Sequence, residues 1–207
     1  MIVAIDGPSA AGKGTLARRI SAALGFHHLD TGLLYRAVGA RLLAAGHDPA
    51  DAALAAAASE ALDAGDLGRP DLRSEPVSRA ASVVAANPAV RAALVAFQRR
   101  FAHRPPGAVL DGRDIGTVIC PDAAAKLFVT ARPDIRARRR FAELQARGEP
   151  ATYAAVFQDL RERDARDEAR GTAPSRPAED AIVLDTSDLT PDQAFERAMG
   201  VVNARRG

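Results

Sequence analysis

The stretch Gly7-Pro8-Ser9-Ala10-Ala11-Gly12-Lys13-Gly14-Thr15 decides how the rest of the chain is read. Before it, Met1 to Asp6 is a short apolar run of the kind that forms a buried strand. After it, Leu16, Ile20 and Leu24 recur at helical spacing and Gly25 closes the run. Strand, glycine-rich loop, helix is the context in which G-x-x-x-x-G-K signifies a phosphate cradle. Its glycines let the backbone curl, so that successive N–H groups and the helix N-terminus converge on one anion. Lys13 is expected to reach the β- and γ-phosphates of a nucleotide, and the Thr15 hydroxyl to approach Mg²⁺. The residue after Lys13 is Gly14, which places the hydroxyl one position later than in the usual motif.

Composition narrows the alternatives. A chain of 207 residues suits one α/β domain with insertions. A net charge of +2 gives no case for a polyanionic partner. Of the 28 cations only Lys13 and Lys126 are lysines, so a lysine in the loop marks a place where a compact ammonium is wanted. Cys120 is the only cysteine, which excludes an internal disulfide and fits a reducing compartment; it is read as a small buried hydrophobe. No run approaches 18 apolar residues and the chain opens directly on a strand, so neither a signal peptide nor a membrane span is expected.

Further along, Phe26 to Asp30 reads as extended, with Thr31 as the cap of a helix from Leu33 to about Ala45. Asp30, Thr31, Tyr35 and Arg36 gather at the start of that helix, and His27 and His28 are read as structural. Asp48 and Pro49 are expected to open another helix, with residues 50–64 helical by alanine propensity and 65–76 a loop. A helical pattern resumes near Val77, pauses at Asn87-Pro88 and continues along Val90, Leu94, Phe97 and Phe101. Residues 108–114 form a strand ending in charge, where an acid can stand near Mg²⁺. Ala125 to Thr130 is a third strand, Pro133 opens a helix, Gly148 and Pro150 break it, and Tyr153 to Arg170 is helical again. Ala181 to Asp185 is a last strand and Pro191 opens the final helix. This alternation predicts a parallel sheet covered on both faces, with ligands at the carboxyl ends of its strands.

Arg163, Asp167 and Arg170 stand at i, i+4 and i+7 and share one helical face. Mixed charge of this kind also suits a solvated helix held by i,i+4 pairs. Two arginine-dense helices around a Gly-Pro break, in a chain with a phosphate loop, point instead to a movable cover. Its guanidinium forks can meet the charge that phosphoryl transfer spreads over equatorial oxygens, and its closure excludes water.

Taken in order, the loop of residues 7–15, Leu29-Asp-Thr-Gly-Leu-Leu-Tyr-Arg36, Asp111-Gly-Arg-Asp114 and Arg163-Asp-Ala-Arg-Asp-Glu-Ala-Arg170 resemble the bacterial cytidylate kinases, nucleoside monophosphate kinases of the P-loop NTPase group. Ser82 and Arg91 bracket the Asn87-Pro88 break in the remaining family segment, so the resemblance covers nearly the whole chain. The Gly-Lys-Gly-Thr ending of the loop is likewise familiar from nucleoside monophosphate kinases. The resemblance implies an α/β P-loop fold: a parallel β-sheet flanked by helices, a helical monophosphate-binding insertion and a small helical lid. Within one kinase domain it implies a core of about residues 1–36, 105–132 and 172–207, an insertion of about 37–104 and a lid region of about 133–171. It implies transfer of the γ-phosphoryl of ATP to CMP or dCMP with Mg²⁺, by a cytoplasmic enzyme that acts on small molecules, binds neither nucleic acid nor membrane, and is expected to be monomeric.

Position by position, the resemblance implies that Gly7, Pro8, Ser9, Ala10, Ala11, Gly12, Lys13, Gly14 and Thr15 hold ATP, with Thr15 toward the metal. Ser82, Arg91 and Asp114 resemble the cytosine-reading set, and Thr31 and Asp167 the contacts to sugar hydroxyls. Arg36, Arg113 and Arg170 match contacts to the acceptor phosphate, and Arg163 a cation of the transfer region. Tyr35 and Asp111 complete the implied CMP site, while Lys13, Arg113, Arg163 and Arg170 are the implied catalytic cations. Asp185 to Asp188 fall where the adenine loop begins. Longer family members carry a β-hairpin-containing extension in the insertion; residues 62–74 show no alternating pattern here, so a trimmed, more helical insertion is expected.

Other readings use the same loop. A P-loop kinase for adenylate, thymidylate or shikimate is the nearest, and a hydroxyl acceptor there would need a base such as Asp30 or Asp111. A GTPase-like switch would want an Asn-Lys-x-Asp segment, which is not present. Nucleic-acid binding has only the arginines behind it.

Overall fold

The computed structural model describes residues 1–169 and 173–206. Among them, strands β1 (Ile2–Asp6), β2 (His27–Asp30), β3 (Ala108–Asp111), β4 (Ala125–Thr130) and β5 (Ile182–Asp185) form one sheet in the order β2-β3-β1-β4-β5. Every pairing is parallel. β1 lies at the centre and its Val3, Ala4 and Ile5 are fully buried, which is why its sequence is a continuous apolar run rather than an alternation. From β1 the chain passes first to the β2-β3 side and later to the β4-β5 side. The loops after β1 and β3 therefore open a crevice at the carboxyl edge of the sheet.

Helix α1 (Lys13–Leu24) ends at Gly25 in the left-handed conformation, as the sequence indicated. Leu16, Ala17 and Ile20 pack on Val3, Ile5 and Leu127, and Ala198 and Val202 of the last helix join the same cluster. The opposite face of the sheet is covered by Ala102, Ile115, Ile119 and Cys120. Burial, with Asp122 nearby, pushes the Cys120 thiol up to about 11, so it is no nucleophile at neutral pH.

Between β2 and β3 the described chain is helical. Helix α2 (Thr31–Ala44) begins at Thr31 itself; the Thr31 hydroxyl donates to the Asp111 carbonyl at 2.8 Å instead of capping the helix. Helix α3 (Ala52–Glu60) is shorter than its alanine run, because Asp51, not Asp48, accepts from the N–H groups of Ala53 and Leu54. Asp48 spends its carboxylate on a local turn to Ala50. The expected loop of residues 65–76 instead contains α4 (Ala64–Leu67), a 3₁₀ turn at Pro70–Arg73 and the first residues of α5 (Glu75–Val84). Asp63 and Asp66 form a reciprocal capping box at α4, local chemistry that the periodicity of apolar residues does not register. Among the described residues no strand occurs in this stretch, as expected of a trimmed insertion.

Helix α6 (Pro88–Ala102) leaves α5 at 98°. Asn87 caps it through Ala89, and Pro88 occupies the first position, where its missing N–H costs nothing. Leu34, Val38, Leu42, Ala81, Val84, Val90 and Leu94 make a second core among α2, α5 and α6. Beyond β4, α7 (Pro133–Ala146) and α8 (Tyr153–Glu168) form a hairpin broken at Gly148, with a small core of Ala137, Leu144, Val156 and Leu160. Helix α9 (Pro191–Ala204) starts on the Thr190–Gln193 capping box. Among the described residues no single helix is long and apolar enough to cross a membrane.

Candidate active site

The loop from Gly7 to Gly12 turns on residues that only small side chains permit. Gly7 has φ +140°, and a Cβ there would lie 1.9 Å from the Val129 carbonyl oxygen, so the loop is seated directly on β4. Ala10 and Gly12 are also left-handed, and α1 begins at the next residue. Lys13 is thus the first residue of α1, and its ammonium folds back to donate to the Pro8 carbonyl at 2.7 Å. Burial, followed by the nearby charge of Arg113, pulls its pKa well below the ordinary lysine range. The negative charge of a phosphate in the loop would offset both.

The facing wall comes from the end of β3. Asp111 has one carboxylate oxygen 2.8 Å from His28 Nε2, while the other would be 3.7 Å from a Cβ on Gly14. Asp6, at the end of β1, accepts from the N–H groups of Ile115 and Gly116 at 2.7 and 2.8 Å and so fixes the turn that carries Asp114. Burial raises the Asp6 carboxyl to about 6 despite those bonds. Arg113 donates to Asp167 of α8 at 2.7 Å. Burial disfavours the charge of Arg113, but Asp167, with Asp164 and Asp111, outweighs it and raises its pKa. Asp114 pairs with Arg91 in a buried ion pair, and Arg91 also donates to the Tyr35 hydroxyl at 3.4 Å.

Lys13, Asp111, Arg113, Asp114, Asp167, Arg91 and Tyr35 line one cavity of about 470 Å³, bounded by the loop, the ends of β2 and β3, α5 and α8. Of the residues singled out from sequence, Ser9, Ala10, Gly12, Lys13, Gly14, Thr15, Thr31, Tyr35, Arg36, Ser82, Arg91, Asp111, Arg113, Asp114, Arg163 and Asp167 all face it. Arg170 lies outside the described residues. Asp185 to Asp188 stand apart from the cavity, beside α7: Arg139 donates to the Thr186 hydroxyl and carbonyl, and Thr186 donates to the carbonyl of Ala11 in the phosphate loop.

Several lining residues were not singled out from sequence. Arg73 and Arg140 bring further cations to the side where Arg36 sits, with Arg140 paired to Glu75 and Arg73 lying 3.5 Å from Asp30. Ser78, one turn before Ser82 on α5, buries a hydroxyl that has no hydrogen-bond partner among the described residues. Arg166 of α8 donates to Ser82 Oγ at 3.2 Å. Their sequence signals are those of ordinary polar surface, and only tertiary packing turns them toward the cavity.

Comparison with known proteins places the whole chain in one family. The family model described as cytidylate kinase matches residues 3–204. The chain is 61% identical over 208 residues to a cytidylate kinase of Paramagnetospirillum magneticum, covering 99% of each. It is 58% identical to one of Azorhizobium caulinodans over the full length of both, and 58% identical to one of Methylocella silvestris over 99% of this chain and 94% of the relative. Among solved structures, a Thermus thermophilus protein aligns with a TM-score of 0.50 at 23% identity over 100% of this chain and 98% of its own. An uncharacterised Eubacterium ventriosum protein aligns with a TM-score of 0.55 at 13% identity over 99% of both; these two likenesses concern the fold alone. With a family match across nearly all its length and close relatives end to end, this chain belongs to the cytidylate kinase family.

Proposed function

We propose that the protein transfers the γ-phosphoryl group of ATP to CMP or dCMP, giving ADP and CDP or dCDP. The observation that carries this reading is one cavity with a phosphate loop at one end and the buried Ser82, Arg91 and Asp114 in its wall. Residues 7–15 hold the ATP phosphates through backbone N–H groups and Lys13. Ser82, Arg91 and Asp114 read the base, whose edge carries both donors and acceptors; a wrong base leaves buried polar groups unpaired. Tyr35 supports that wall through Arg91, and Thr31 and Asp167 take the sugar hydroxyls. Arg36, Arg113 and Arg170 hold the acceptor phosphate, and Arg163 stands with Lys13 over the transfer region. Residues 37–104 serve as the monophosphate-binding insertion and 133–171 as the lid.

The reaction needs no general base. A phosphate monoester has its second pKa near ~6, so the attacking oxygen is already largely anionic at neutral pH. What the chain must supply is alignment of two polyanions and neutralisation of their charge, and the cationic groups of the cavity suit both tasks. The donor set also fits Mg²⁺: the Thr15 hydroxyl and the Asp111 carboxylate are oxygen donors on the cavity wall, the ligand type that this cation takes beside nucleotide phosphates and water. Thr15 and Asp111 would hold it from the protein side. When bound, Mg²⁺ neutralises and orients the β- and γ-phosphate oxygens. The large exposed apolar side chains are few and mostly scattered, which favours a monomer.

The test is ADP formation from ATP and Mg²⁺ with CMP, dCMP, UMP, AMP, dTMP or shikimate offered singly. Turnover is expected to be led by CMP and dCMP; leadership by another acceptor would remove the base-reading assignments while leaving a P-loop kinase. ATP hydrolysis indifferent to every acceptor would remove the kinase reading itself.

A further inference from the structure

Arg166 joins two walls of the cavity that no covalent segment joins directly. It lies on α8, and its Nε is 3.2 Å from the hydroxyl oxygen of Ser82 on α5. Ser82 is 2% exposed, whereas the Arg166 side chain is 42% exposed, with Glu162 one turn back at 3.9 Å. A second link between the same helices, Arg79 to Asp159 at 3.5 Å, lies at the solvent edge.

The direction of the Arg166–Ser82 bond is not ambiguous. A guanidinium only donates, so Ser82 Oγ accepts, and one of its two lone pairs is committed. A serine hydroxyl on a helix is otherwise a rotor that can turn to a carbonyl of the preceding turn. Accepting from Arg166 leaves it one lone pair and one O–H for other partners, and the adjacent positive charge strengthens that O–H as a donor. Arg91 and Asp114, close by in the same wall, are already fixed by their own ion pair. Ser82 is the member of the set that is held from α8.

We propose that Arg166 is a positioning residue for base recognition: from α8 it orients the Ser82 hydroxyl, so that the base site is complete only with α8 against α5. This rests on the reading of Ser82 as a base contact. It makes the approach of α8 sensitive to the occupant of the base site, while the sugar and phosphates meet other residues.

The test is steady-state kinetics of the full chain and of Arg166→Ala, Arg166→Lys, Ser82→Ala and the Arg166→Ala/Ser82→Ala double variant, with calorimetric CMP binding for each. Arg166→Ala is expected to raise KM and Kd for CMP about tenfold, the scale of one hydrogen bond to a charged group. KM for dCMP should rise by the same factor and KM for ATP should not move, because the contact concerns the base alone. Arg166→Lys, which keeps a donor and a charge, should recover much of the loss. In the Ser82→Ala background, removing Arg166 should cost little more. CMP affinity unchanged in Arg166→Ala, an equal rise in KM for ATP, or full additivity with Ser82→Ala would each overturn the proposal while leaving the kinase reading intact. If the unaltered enzyme ignores CMP, the base-reading assignments fall first and the proposal with them.

Discussion

Arg113 Nε stands 2.7 Å from Asp167 Oδ2, an ion pair that ties the end of β3 to α8 across the mouth of the cavity. Asp167 is buried and Arg113 nearly so, and Asp167 is the largest compensation Arg113 has for lost water. Asp167→Ala should therefore destabilise the fold by roughly 3 kcal/mol by removing the main partner of a buried guanidinium. Thermal or urea unfolding at neutral pH checks it, and Asp167→Asn, which still accepts a hydrogen bond, should lose less.

The buried Arg91–Asp114 pair allows stability and recognition to be separated. Arg91→Leu alone removes the buried cation that Asp114 faces and should cost on the order of 3 kcal/mol. Arg91→Leu with Asp114→Leu should recover most of that stability, since apolar replacements avoid the desolvation cost. Use of CMP should not return with it. Recovery of turnover in the double variant would argue against a base-reading role for the pair.

Lys13→Met removes an ammonium that burial and Arg113 both disfavour. Its melting temperature is expected to be unchanged or raised, while kcat falls by a factor of ~10² to 10³, as when a single charge-stabilising group is lost. A parallel fall in stability and rate would instead make Lys13 a structural residue.

Asp6 gives a pH signature with a definite sign. Its carboxyl is raised from 3.8 to about 6 in the folded chain. The folded state therefore binds more protons than the unfolded one between those values, and this group's contribution to stability declines as pH rises from about 4 to about 6. Asp6→Asn should flatten that slope. It should also lower overall stability by about 1–3 kcal/mol, because an amide presents only one acceptor to the two N–H groups of Ile115 and Gly116. Urea titrations across pH 4–7 measure both effects.

Gly7→Ala should fail to fold or lose several kcal/mol, since the new Cβ would enter the Val129 carbonyl and the backbone sits in a left-handed region. Soluble yield and unfolding midpoint report it.

Much of the site was legible from the chain because its groups are contiguous. The strand–loop–helix unit around Lys13, the Thr31–Arg36 cluster and the Asp111–Asp114 run each needed only local order to be placed. The capping of α3 and the short helix α4 were missed, because both depend on Asx side chains bonding N–H groups two and three residues on. That choice leaves no trace in apolar periodicity.

By itself, then, the sequence determined the α/β alternation, the phosphate loop and the polar residue types available to the site, since strand burial, helix phase and turn chemistry are local properties. Tertiary structure alone decided that Arg73, Arg140 and Arg166 join the cavity wall and which partner each cavity arginine meets. Arg113 and Arg166 lie in separate elements, and their partners Asp167 and Ser82 are 54 and 84 residues away along the chain. Such pairings follow from how helices pack on the sheet and on one another, where burial turns a surface charge into a partner that must be matched.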